Sequence, residues 1–122
     1  MQIVPEFLIK KIYQKGSLKK LDSGVSLTLK NVLGPGFISG FNYVKINNFV
    51  FESKDVKFIT NGKEYTADDV SETNPIAFRL SQSGTLIMQG NSYCVIIGKN
   101  TILIEALNPE AGIVQLNVED TV

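Results

Sequence analysis

Four carboxylates, Glu64, Asp68, Asp69 and Glu72, crowd one short stretch of the chain. Clustered acids can hold calcium or magnesium through hard oxygen ligands. A pair of them can also share acid and base roles in sugar chemistry. The spacing does not follow an EF-hand loop, which places oxygen donors at alternate positions around a central glycine. A solvated acidic turn is the alternative reading. Histidine is absent from the 122 residues, which removes the commonest general base and the commonest neutral metal ligand. No Ser-His-Asp or Cys-His arrangement can be built from these residues, nor a zinc site of Cys and His. The single cysteine, Cys94, cannot form an internal disulfide, and it sits in the apolar run Tyr93-Cys94-Val95-Ile96-Ile97. It reads as a small buried hydrophobe. Gly34, Gly36 and Gly40 do not match a dinucleotide-binding fingerprint, and no helical pattern follows them. No residue is therefore assigned to catalysis, to a cofactor or to a metal.

Phe37, Phe41, Tyr43, Phe49 and Phe51 form the other group with chemical scope. Aromatics on a sheet can build a platform for a small molecule or carbohydrate. They can also pack across a hairpin, or form part of a partner interface. Lys and Arg together equal Asp and Glu at 12 each, so the chain lacks the basic excess of a nucleic-acid binder. Lysines gather early, at 10, 11, 15, 19, 20 and 30, and acids late, at 105, 110, 119 and 120. Solvation of outer strand faces and an electrostatic face for a partner both fit this drift. The first residues carry no secretory pattern, and no apolar run reaches membrane-spanning length. With one lone cysteine, the expected location is cytoplasmic.

The elements that must carry these residues repeat with period two. Val25-Ser26-Leu27-Thr28-Leu29-Lys30 alternates without a break, the mark of a strand with one buried face. Asn61-Gly62 between Val56–Ile59 and Lys63–Tyr65 is the strongest hairpin signal. Asn47-Asn48 joins a second pair of strands, and Gly40 inside Phe37–Ile46 predicts a bulge. Thr66-Ala67-Asp68-Asp69-Val70 is the one helical turn expected, with Thr66 as its cap. Further strands are expected at Ile76–Leu80, Thr85–Gln89, Tyr93–Ile97, Thr101–Leu107 and Ile113–Val118. Many short strands with evenly spaced turns predict an all-β, antiparallel β-sandwich, with a partly open barrel as the alternative. Residues 1–122 read as one domain.

Tyr93–Ile97 has no polar face. A strand apolar on both sides must be covered on both sides, and a two-layer sandwich covers one. Phe49-Val50-Phe51 raises the same demand on a hairpin arm. Phe49, Val50, Phe51, Tyr93, Val95, Ile96 and Ile97 are thus the candidate interface, and a homo-oligomer is expected.

Two blocks carry a resemblance. One is Lys11-Ile12-Tyr13-Gln14-Lys15-Gly16-Ser17-Leu18-Lys19, continuing through Leu27–Gly36. The other runs from Asn61 to Val70, and the tail Glu110–Thr121 fits with them. Together they resemble a family of short, mostly archaeal β-proteins often labelled hydroxymethylglutaryl-CoA reductase. The stretch from Phe37 to Val70 is also similar to the small β subunits of C-glycoside deglycosidases. That second resemblance implies a compact sandwich beside a larger, metal-bearing catalytic subunit. The leading expectation is a non-catalytic accessory or oligomerising subunit. A stand-alone module binding a small molecule or carbohydrate is the rival, and an enzyme related to the reductase label comes third.

Overall fold

A computed structural model describes residues 5–34 and 36–122. A short helix, α1 (Glu6–Ile9), runs into a 3-10 turn at Lys10–Ile12, and eleven strands follow. They are β1 (Lys19–Lys20), β2 (Gly24–Lys30), β3 (Gly36–Ile38), β4 (Gly40–Ile46), β5 (Phe49–Glu52), β6 (Val56–Thr60) and β7 (Lys63–Thr66), then β8 (Ile76–Phe78), β9 (Ser83–Gln89), β10 (Lys99–Asn108) and β11 (Gly112–Thr121). One sheet has the order β1-β2-β9-β6-β7 and the other β11-β10-β4-β5, while β3 and β8 form a two-stranded ribbon. Every pairing is antiparallel. Hairpins alternate between the two sheets, so the protein is an antiparallel β-sandwich.

Period two is what builds the core. Val25, Leu27 and Leu29 of β2, Val56 and Phe58 of β6, and Leu86 and Met88 of β9 point inward from one sheet. Val44 and Ile46 of β4 meet them from the other, with Phe51, Ile102, Ile104 and Leu116. Phe58 sits at the centre, its ring 5.5 Å from that of Phe41 and 5.4 Å from that of Phe78. The contact with Phe41 ties the two sheets together.

The hairpins follow their turn residues. Asn61 and Gly62 take φ of 51° and 73°, as a two-residue primed turn requires. Asn47, with φ of 55°, turns β4 into β5. The bulge lies two residues beyond the expected Gly40. Glu105 pairs with Tyr43 and Ala106 with Phe41, which leaves Asn42 as the extra residue. A Cβ on Gly40 would meet Leu107 Cδ1 at 3.0 Å, so that glycine serves close packing. The expected helical turn is present as a 3-10 turn at Ala67–Asp69, but the Thr66 side chain makes no capping bond. Pro5 precedes α1, and its carbonyl accepts from the Leu8 and Ile9 amides.

Residues 93–97 form no strand, which corrects the sequence expectation. They lie in the loop between β9 and β10, and Val95 alone turns fully inward. The reason lies in the backbone: its polar groups here bond to asparagine side chains, which leaves no ladder for a neighbouring strand. No helix among the described residues is long and apolar enough to cross a membrane.

Candidate functional site

The 91–98 loop is built by asparagines. The Asn91 carboxamide oxygen accepts from the Tyr93 amide at 2.9 Å, starting the turn. Asn100 is fully buried, and its side chain spends all four of its hydrogen-bonding positions. Its Oδ1 accepts from the Ile96 amide at 2.9 Å and from Asn47 Nδ2 at 2.9 Å. Its Nδ2 donates to the Ile96 carbonyl at 2.9 Å and the Gly98 carbonyl at 3.1 Å. Asn47 also donates to the Cys94 carbonyl at 2.6 Å, and its Oδ1 accepts from the Thr101 amide at 3.0 Å. One residue thus turns the β4–β5 hairpin and pins the loop to it.

This clamp decides where the apolar side chains go. Val95 enters the core, as does Phe51 of β5. Tyr93 and Ile97 are 84% and 94% exposed. Ile96, Phe49 and Val50 are exposed as well, and the Phe49 ring rests edge-on against Phe51 at 4.8 Å. Five of the seven candidate interface residues therefore stand at the surface, on the loop and on the adjoining edge strand β5. Lys20 Nζ lies 4.8 Å from the centre of the Tyr93 ring and stacks a cation on its face. Cys94 is half-buried, and burial pushes its thiol pKa up, against the Lys20 charge and the local amides that pull it down. A thiol held protonated is a poor nucleophile.

The acidic group disperses into separate roles. Glu64 pairs with Lys57 at 3.8 Å across the β6–β7 ladder, and Asp68 accepts from the Ser53 hydroxyl. The Asp69 carbonyl accepts from Asn74 at 2.8 Å, and Glu72 is exposed in the following turn. Among the described residues no three acids or cysteines gather as metal ligands would. The aromatic group divides too: Phe41 and Phe51 are core, Tyr43 is half-buried, and Phe37 and Phe49 are exposed.

One buried polar centre gave no signal in the sequence. Asp120 is buried near the end of β11, and its Oδ2 accepts from the Tyr13 hydroxyl. The same oxygen accepts from the amides of Gly16 at 2.8 Å and Leu18 at 3.4 Å, while Oδ1 accepts from the Thr121 amide at 2.9 Å. Burial alone would raise the carboxyl pKa, but Tyr13 and the three amides outweigh it and hold Asp120 below the usual range. Burial, then the bond to Asp120, keep the Tyr13 phenol neutral far above its ordinary value. The pair fastens the segment after α1 to the last strand. Three of the four donors converge on Oδ2, and all four come from the chain's own backbone and Tyr13, so what the pair does is fasten these segments together.

The family model described as hydroxymethylglutaryl-CoA reductase, N-terminal domain, matches residues 8–122. The chain belongs to this family. The matched range covers every strand of the sandwich, the Tyr13–Asp120 pair and the clamped 91–98 loop. No curated protein matches the chain.

Proposed function

We propose that this member of the reductase N-terminal domain family is a non-catalytic assembly subunit, docking through the end of the sandwich that carries the 91–98 loop and β5. The observation that carries this reading is the near-complete exposure of Tyr93 and Ile97 on a loop that Asn47 and Asn100 hold in place. A free loop could fold such side chains back against the protein. A clamped one keeps them in water until another surface covers them, and covering them is favourable at about 25 cal/mol per Å² of apolar area. Edge strand β5 extends the same surface with Phe49, Val50 and an open row of backbone groups.

The isolated chain pairs with a second copy in this reading, and in the cell it can dock on a larger catalytic subunit. Two likenesses support a larger body beside it. The family name is that of a domain within a reductase, and the stretch from Phe37 to Val70 is similar to deglycosidase small subunits, which sit against a catalytic partner. The half-buried thiol of Cys94 fits a cytoplasmic setting.

Light scattering at tens of micromolar tests the reading. The expected result is a species heavier than one chain. Ile97→Lys and Val50→Lys should each weaken association tenfold or more, with circular dichroism unchanged. A sharp monomer, together with no loss of co-eluting chains when the Ile97→Lys protein is purified from its native source, would refute it.

A further inference from the structure

The far end of the sandwich carries a different feature. β10 runs from the 91–98 loop to the hairpin tip at Asn108–Gly112, about 30 Å away at roughly 3.3 Å per residue. Beside that tip lies a pocket of about 420 Å³. Its floor is the core itself: Leu29, Phe41, Phe78, Ile104 and Leu116, all buried. Leu8, Ile9 and Ile12 of the helical segment form one wall, and Leu33, Phe37 and Ile38 another.

We infer that this pocket binds a small, uncharged molecule with a hydrocarbon or aromatic body. Four observations carry this. The volume falls within the roughly 300–1,000 Å³ of small-molecule sites. Protein interiors are close-packed, yet among the described residues a gap remains above these core side chains. Charge then selects the ligand. Among the described lining residues there is no lysine or arginine, and the one charged residue is Glu110, exposed on the hairpin tip. A phosphate or carboxylate would lose water here and meet no cation.

The two asparagines of the lining are turned to the chain's own backbone. Asn31 donates to the carbonyls of Gly34 at 2.5 Å and Phe78 at 2.7 Å, and accepts from the amides of Leu33 and Gly34. Asn108 donates to the Phe37 carbonyl at 2.9 Å and accepts from the amides of Glu110 and Ala111. A peptide would bring backbone N–H and C=O groups into an apolar space with those asparagines already committed, at a desolvation cost that a hydrocarbon does not incur. The occupant is therefore a small molecule. This site is separate from the assembly surface, and neither depends on the other.

Titration of the full chain with the neutral fluorophore N-phenyl-1-naphthylamine tests it. Saturable binding of one probe per chain is expected, with the anionic 8-anilino-1-naphthalenesulfonate binding at least tenfold more weakly. Ala106 and Ala111 line the pocket, so Ala106→Phe and Ala111→Phe should fill it and weaken the neutral probe tenfold or more. Two variants are used so that one which fails to fold by circular dichroism leaves the other to decide. Ile97→Lys, at the opposite end, should bind as the wild type does. The inference is overturned by non-saturable binding, by preference for the anionic probe, by folded phenylalanine variants that bind normally, or by equal loss in Ile97→Lys.

Discussion

Two glycines are constrained for opposite reasons. Gly62 has φ of 73° and nothing within 4 Å of where a Cβ would stand. Its constraint is backbone conformation alone, so Gly62→Val should cost about 1 kcal/mol or more, a β-branched residue resisting positive φ. A Cβ on Gly84 would stand 2.1 Å from Phe58 Cζ, at the centre of the core. Gly84→Ala should cost about 1–3 kcal/mol through overpacking, and more if the ring cannot move. Urea titration separates the two when each is combined with Phe58→Leu: the Gly84 cost should shrink and the Gly62 cost should not. Asp120 gives a pH prediction. Its folded pKa is depressed, so its contribution is present above the unfolded value near 4 and is lost as pH falls through the folded one. The folded pKa of Tyr13 is raised, so its contribution is present below about pH 10 and is lost as the phenol ionises above that. The pair therefore works at full strength between about pH 4 and pH 10. Asp120→Asn should cost about 1–3 kcal/mol at pH 7 by leaving buried donors badly paired, and it should flatten the acid limb of the stability curve. An acid limb identical to that of the wild type would mean that other carboxylates control acid unfolding.

At the scale of elements, the clamp between the β4–β5 hairpin and the 91–98 loop rests on Asn47, whose two tasks can be separated. Asn47→Gly keeps the positive φ of the turn and deletes the side chain that holds Cys94, Asn100 and Thr101. Hydrogen exchange should then quicken at Ile96 and its neighbours by tenfold or more, while amides paired between β4 and β5 keep their protection. Unchanged exchange in the loop would show that Asn100 holds it alone. The same elements show what a sequence can reveal. Asn61-Gly62 and Asn47-Asn48 were legible because the turn chemistry lies in the residues that turn. Val25–Lys30 was legible because alternation records which face is buried. Tyr93–Ile97 misleads because an apolar run states only that side chains prefer burial. What keeps it from being a strand is Asn47 and Asn100, remote or outside the run. Helix α1 leaves no mark in the sequence because four residues show no period, and its packing on the last strand decides it. The Tyr13–Asp120 bond spans a sequence separation of 107, and Asp120 looks like one more solvated acid in an acidic tail.

The whole molecule has two ends with different surfaces, and stability offers a readout of the assembly end that does not depend on hydrodynamics. Anything that binds the folded chain and not the unfolded one raises the melting temperature as its concentration rises. A second copy of the chain obeys the same rule. If the 91–98 end pairs copies, the melting temperature should climb by a few degrees for each tenfold rise in protein concentration. Ile97→Lys should abolish the climb. In the dilute limit it should melt where the dilute wild type does, because Ile97 is almost wholly in water and a single chain loses little when it changes. The two limits must hold together. A wild type whose melting temperature is flat over a hundredfold range does not self-associate. A variant that melts lower by the same amount at every concentration would show that Ile97 packs within its own chain, and the exposed loop would then lose its meaning as an interface. Repeating the series with Ala106→Phe adds a control from the other end. It should shift the whole curve by the cost or gain of filling the pocket and leave the slope against concentration untouched, since about 30 Å of β10 lies between the two surfaces.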